Sequence, residues 1–318
     1  MYVPPVKQAT VIIAAWRAEE TLAASVGSAL AQGEIVREVI VADDASPDGT
    51  AALAQDLAAR DGRVRLMRLP RNAGPAAARN AALDIAQGDW VAILDADDAM
   101  RLGRLERMIA FGEARGADIV CDDLELVGAG IPQGRAFLGP HAPTEPRHLT
   151  LEEYLAGNQA RRSPPSLGFL KPVFRRAFLE MHGLRYDPAL RNGEDFHLVL
   201  AALTEGAAFW LMPETGYLYT TRTGSLSNRL DVAHAAALAA ADAAYLERVR
   251  GTLSSRAARL MHQRMDRIAD LATAEAGLQA LKARRPAAAL AALARRPRAT
   301  GRFLGQLRAA LQNRLRAI

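Results

Sequence analysis

Cysteine is nearly absent: Cys121 is the sole thiol in 318 residues. That excludes a disulfide framework and a cysteine-only zinc site, and it fits a reducing compartment. Aromatic residues make up only 5%, and the last 88 residues hold just Tyr245 and Phe303. Stacking on bases has little to work with there, so a nucleic-acid partner is not expected. No run approaches the roughly 18 apolar residues of a membrane span. The first apolar stretch, Thr10–Ala15, is too short for a secretory leader, so the cytoplasm is the expected location. Several signatures are missing as well. There is no Walker A loop, no Gly-x-Gly-x-x-Gly turn, no His-Glu-x-x-His pair and no Gly-x-Ser-x-Gly elbow. P-loop ATPase, dinucleotide dehydrogenase, zincin protease and serine hydrolase chemistry are therefore unsupported.

Half of the residues are apolar and 24% are charged, the balance of a globular chain with a sizeable core. The length allows one large domain or two smaller ones. The net charge of +5 is unevenly spread. Residues 231–318 hold 16 Lys+Arg against 6 Asp+Glu, a net +10, which leaves residues 1–230 at −5. The two parts meet different surroundings.

Residues 10–121 alternate between two periods. Apolar runs rich in Val and Ile occur at Thr10–Ala15, Glu38–Ala42, Val64–Leu69, Trp90–Leu94 and Asp118–Cys121. Between them, Glu19–Gln32, Thr50–Arg60, Pro75–Gln87 and Arg101–Arg115 have helical spacing. Strand and helix in alternation predict an α/β fold with a mostly parallel, doubly wound sheet. Residues 124–170, rich in Gly, Pro and His, predict a long loop region with one short helix near Leu151–Leu155. Pro172–His182 and Asp195–Thr204 read as helices, and Ala207–Met212 and Tyr217–Thr221 as short strands. From Asp231 the pattern is amphipathic and helical, interrupted at Pro286 and Pro297, with a last helix over Thr300–Arg316. The expected division is 1–230, with nucleotide-binding (1–121) and acceptor-binding (122–230) parts, followed by a basic helical extension over 231–318.

Ligands of an open α/β sheet bind beyond the carboxyl ends of its strands. The residues there are Ala15-Trp16-Arg17, Asp43-Asp44-Ala45-Ser46, Arg71-Asn72-Ala73-Gly74 and Asp95-Ala96-Asp97-Asp98. Clustered carboxylates raise one another's pKa unless a cation neutralises them. Asp95, Asp97 and Asp98 are therefore candidates for magnesium or manganese, completed by water and substrate phosphate. A solvated turn capping the next helix is the alternative reading of the same three residues.

Six segments together resemble family 2 glycosyltransferases. They are Val11–Trp16 with Glu20-Thr21-Leu22, Val39–Thr50, Asn72–Asn80, Leu94–Asp98, Asn192–Asp195 and Gly224–Ser227. Their order and spacing match from residue 10 to about 228. Gly168–Leu200 is similar to bacterial exopolysaccharide enzymes of the succinoglycan-assembly type. The resemblance implies a GT-A (Rossmann-like) fold, a UDP-sugar donor, a divalent metal (Mn or Mg) and inversion at the anomeric carbon. It also implies a saccharide or lipid-linked saccharide acceptor.

Residue by residue, the resemblance puts Asp97 on the metal, assisted by Asp95 or Asp98, and Asp95 near the ribose. Ala14 stands where the family has a proline, and Trp16 where it often has a tyrosine stacked on the base. Asp44 is expected to accept from a uracil N–H, with Asp43 structural. Arg79 is a candidate phosphate contact, its alternative being an ordinary surface arginine. Asp195 is expected as the base that takes the proton of the attacking hydroxyl, with Glu194 orienting it or the acceptor. Arg222 would supply positive charge in the late loop, where the family's frequent histidine is missing. Lys171 and Ser163–Leu170 are candidate acceptor contacts. The Gln-x-x-Arg-Trp signature of processive synthases is absent, which argues for addition of a single sugar.

Other readings remain at this point. One is a sugar nucleotidyltransferase, which would carry a Gly-rich basic loop near residue 15. Another is an Asp-x-Asp phosphatase, whose motif belongs after the first strand. A third is a non-catalytic sugar-nucleotide-binding partner of another transferase. The basic tail has three readings: a helical cap on the catalytic part, an anionic-membrane contact through 300–318 on the inner face of the plasma membrane, or a homodimer interface.

Overall fold

The structure, a computed structural model, describes residues 7–160, 165–221 and 232–315, with side chains as far as residue 308 in the last helix. The strands are β1 Ala9–Ala15, β2 Val36–Asp43, β3 Val64–Arg68, β4 Trp90–Ile93, β5 Ala99–Met100, β6 Ile119–Val127, β7 Arg135–Ala136, β8 Arg147–Leu149, β9 Val173–Arg175 and β10 Phe209–Thr220. The helices are α1 Leu22–Leu30, α2 Thr50–Arg60, α3 Pro75–Leu83, α4 Arg104–Arg115, α5 Leu151–Ala156, α6 Arg176–Met181, α7 Glu194–Thr204, α8 Val232–Arg248, α9 Ser255–Lys282, α10 Pro286–Arg295 and α11 Thr300–Leu315. None of the described helices is long and apolar enough to cross a membrane.

One sheet runs in the order β3-β2-β1-β4-β9-β6-β10-β5, with β7 paired to β6 and β8 to β10. The pairs β2–β3, β1–β2, β1–β4 and β6–β10 are parallel. The first strands are buried on both faces, as continuous apolar runs between helix layers must be. Pro75 opens α3 at the position where its missing N–H costs nothing.

Two sequence expectations change. The start of Pro172–His182 is a strand: β9 lies antiparallel between β4 and β6, and the helix begins only at Arg176. Three residues carry no periodicity of their own, so pairing on both sides decides their conformation. The expected strands Ala207–Met212 and Tyr217–Thr221 are one strand, β10, in which register shifts between Leu211 and Tyr217 absorb Pro213 and Gly216.

Gly88, just before β4, has no room for a side chain. A Cβ there would lie 2.6 Å from the Ala9 carbonyl carbon and 2.9 Å from the Trp90 oxygen, both backbone atoms. Gly88→Ala should therefore cost about 1–3 kcal/mol, read as a lower denaturation midpoint at unchanged slope. An unchanged midpoint would show that β1 and β4 can separate there without penalty.

The chain divides into two compact units. One is formed by Met1–Gly157 and Ser163–Thr223, the other by Asn158–Arg162 and Gly224–Ile318. Inside the helical unit, Arg264 is buried against Asp242 (3.2 Å) and donates to the Asn158 carbonyl (2.8 Å). Ala274, Leu278 and Phe303 form an apolar centre, with Leu281, Leu293 and Leu307 packed around it.

Candidate active site at the carboxyl rim of the sheet

At the end of β1 the chain turns through Arg17, whose φ of 52° is left-handed. Trp16 stands 46% exposed, with the Arg17 guanidinium 4.6 Å from its ring centroid. Ala14, two residues earlier, is half-buried in β1. An exposed indole face at a strand end is suited to stacking on a planar ligand. Beside it, the N–H of Asp44 donates to the Ala15 carbonyl and the N–H of Arg17 donates to Ser46 Oγ, joining the ends of β1 and β2.

Asp43 and Asp44 are both buried. Asp43 accepts from the Ser46 N–H and pairs with Arg68 at 3.3 Å. Asp44 clamps the next loop: its two carboxylate oxygens accept from the N–H groups of Ala73 (2.7 Å) and Gly74 (2.8 Å). Each oxygen keeps a second lone pair. Sequence reasoning gave Asp44 only a ligand contact and missed this clamp.

The Asp95–Asp98 turn is pinned from several directions. Ser25 Oγ donates to the Asp98 carbonyl (2.6 Å). The Tyr217 hydroxyl accepts from the Asp95 N–H (3.0 Å) and donates to Asp98 Oδ2 (2.8 Å). The Thr220 N–H donates to Asp98 Oδ1 (2.7 Å). Asp98 therefore faces inward, and burial together with repulsion from Asp95 and Asp97 pushes its pKa up to about 8. Among the described residues no group of three His, Cys, Asp or Glu converges as a cation site.

Arg79, a candidate phosphate contact whose alternative is an ordinary surface arginine, is 3% exposed, so the surface reading does not hold. Its guanidinium holds Asp95 at 2.8 Å, Glu194 at 2.7 Å and Asp195 at 3.2 Å. Lys171, also buried, bridges Asp95 (2.8 Å) and Asp195 (3.0 Å). Burial alone would lower the pKa of both cations, but the facing carboxylates hold them well above the ordinary range. Asp95 is half-buried, and desolvation would raise it, yet Lys171 and Arg79 bring it down to about 2. Glu194 is raised, by burial and then by Asp195.

The acidic pair owes its place to local structure. Gly193, at φ 82°, makes a left-handed turn that a side chain would strain. Glu194 and Asp195 then form the first turn of α7, where the helix dipole favours negative charge. Lys171 is fixed from behind: Arg104 binds Asp122 through two nitrogens and donates to the Lys171 carbonyl at 2.7 Å. The Tyr186 ring lies 5.4 Å from the Arg79 guanidinium, with its hydroxyl buried and unpartnered. Sequence reasoning missed Tyr186, Tyr217, Ser25 and Arg104, none of which sits in a recognisable motif. Arg222 and the loop Gly224–Ser227 lie outside the described residues.

The family model for glycosyl transferase family 2 aligns with residues 10–176. Succinoglycan biosynthesis protein ExoO of Rhizobium meliloti (strain 1021) is 42% identical over 260 residues, covering 82% of this chain and 73% of that protein. Succinoglycan biosynthesis protein ExoU of the same strain is 38% identical, covering 80% and 74%. Among solved structures, S. aureus TarS 1–349 in complex with UDP-GlcNAc superposes with a TM-score of 0.60 at 18% identity, covering 89% of each chain. That likeness is one of fold. The sheet, the rim of acids and these relatives together place the chain in glycosyl transferase family 2.

Proposed function

We propose that the chain moves one sugar from a UDP-sugar to a hydroxyl of a glycan or lipid-linked oligosaccharide in exopolysaccharide assembly, with inversion at the anomeric carbon. In this reading the first compact unit carries the chemistry and the helical unit is accessory. One observation carries the proposal. The Asp-x-Asp turn after β4 and the acidic pair opening α7 lie about a hundred residues apart, yet they converge on the same Arg79–Lys171 pair. A donor-side carboxylate is thereby held beside an acceptor-side one. The names of the relatives support the substrate class: two are succinoglycan biosynthesis proteins, and WfaP of Escherichia coli (36% identical over 104 residues, covering 33% of this chain) is named as a UDP-Glc:alpha-D-GlcNAc-diphosphoundecaprenol beta-1,3-glucosyltransferase.

Asp195 would accept the proton of the attacking hydroxyl while the new bond to the anomeric carbon forms and the bond to the diphosphate oxygen breaks. Arg79 and Lys171 fix its orientation, and each of its oxygens keeps a lone pair for the incoming proton. Trp16 would stack on the base, with Ala14 and the remaining lone pairs of Asp44 along its edge.

The residues fit a divalent cation. Three acids, Asp95, Glu194 and Asp195, meet the two buried cations, and Asp97 adds a further carboxylate on the same turn as Asp95. A hard cation shared with substrate phosphate needs only one or two protein carboxylates. Asp97, with Asp95, would hold it, and Asp98 would brace the turn from behind. When bound, the cation would neutralise charge on the departing diphosphate.

A donor screen by thermal shift tests the reading. With manganese present, a UDP-sugar at a hundred times its Kd should stabilise the fold by about 2.7 kcal/mol, some 5–10 °C in Tm. Without manganese, or in Asp97→Ala, the shift should shrink toward zero. Silence across a broad panel of sugar nucleotides would end the proposal.

A further inference from the structure

We propose that the helical unit lies on an anionic bilayer surface through the outer faces of α10 and α11. Glu275 is the last acidic residue of the chain, and ten Lys and Arg follow it with no Asp or Glu among them. Three of the ten have internal partners: Arg296 is paired with Asp266 and Asp270, Arg298 reaches Asp266 at 3.8 Å, and Arg302 donates to the Ala160 carbonyl. Lys282, Arg284, Arg285, Arg295, Arg298 and Arg308 are exposed.

The second observation concerns what lies between those cations. The inner side of α10 is apolar, with Ala289 buried and Leu293 packed on the Ala274–Leu278–Phe303 centre. Its outer side is apolar too: Ala287, Leu290, Ala291 and Ala294 are exposed, and Leu290 is 69% exposed. On α11 the exposed positions Gly301, Leu304 and Gly305 repeat the pattern, with Leu304 at 55%. A helix apolar all round is normally enclosed, by protein or by lipid. A solvated face would be expected to carry polar residues, and this one keeps its charges at its ends.

Ten residues of helix span about 15 Å, far too little to cross a bilayer but suited to lying in its interface. Exposed leucines enter the headgroup boundary while arginines at either end meet anionic lipid. Nucleic acid would complement the charge but not the leucines, and no aromatic side chain is exposed there for stacking.

Sedimentation of the full chain with vesicles tests this. Phosphatidylcholine vesicles containing one-third phosphatidylglycerol should bind it at low salt, and phosphatidylcholine alone should bind it weakly. Leu290→Asp with Leu304→Asp, and separately Arg284→Glu with Arg285→Glu and Arg295→Glu, should each lower partitioning by about tenfold or more. All five positions are exposed, so circular dichroism should show an intact fold. Binding that survives the leucine substitutions, or that single-stranded RNA matches with the same sensitivity to the arginine substitutions alone, overturns the proposal. The assay contains no sugar nucleotide, so its failure would leave the transferase reading standing.

Discussion

Asp195→Asn is expected to lower kcat by about a thousandfold while leaving the manganese-dependent thermal shift with UDP-sugar intact. A general base contributes a factor of this order. Asparagine keeps the shape of the side chain and can still face Lys171 and Arg79, which hold Asp195 at 3.0 and 3.2 Å. The loss would therefore lie in proton acceptance and not in the fold. Glu194→Gln serves as the contrast: it removes a contact to Arg79 of 2.7 Å but not the base, so its effect should be smaller. If Asp195→Asn turns over at a near-normal rate, the base has been assigned to the wrong carboxylate.

Arg79→Met carries the second large effect. The side chain is buried and meets three carboxylates. Removing it leaves Asp95 and Asp195 with Lys171 and takes from Glu194 its 2.7 Å ion pair. Deleting one partner of a buried ion pair typically costs about 3–5 kcal/mol, because the remaining charge is stranded away from water. For a domain of this size that corresponds to a fall in Tm of at least about 6 °C. Adding Glu194→Gln to Arg79→Met should recover part of the loss, since it removes one stranded charge, and a double-mutant cycle would measure that coupling. A wild-type Tm for Arg79→Met would mean that the guanidinium spends its time elsewhere.

The parts of the fold that were legible in the sequence are those encoded locally. Apolar runs gave β1 to β4, and Thr50–Arg60 is a helix over the same residues that its spacing predicts. The carboxylates at the strand ends could be placed because a wound sheet gathers those ends on one rim. What depends on distant partners could not be read. β9 exists only between β4 and β6. The direction of Arg79 is set by acids 115 and 116 residues away, and no local pattern distinguishes an arginine that reaches out to a ligand from one that turns in. Lys171 was legible only as a candidate contact, since its bridge requires the Arg104–Asp122 pair behind it.

The antiparallel placement of β9 beside β4 has a consequence for how such an enzyme diversifies. The excursion between β6 and β9 leaves from one strand and returns to its immediate neighbour, delivering Lys171 next to the end of β4. Its ends at β6 and β9 stay fixed, β7 and β8 tie its interior to the sheet, and loop-closure entropy grows only slowly with the length strung between such ties. Under the proposed function, the stretch before Lys171 is where replacement would retarget the transfer, provided that Lys171 and the pairing of β7 with β6 and of β8 with β10 are kept.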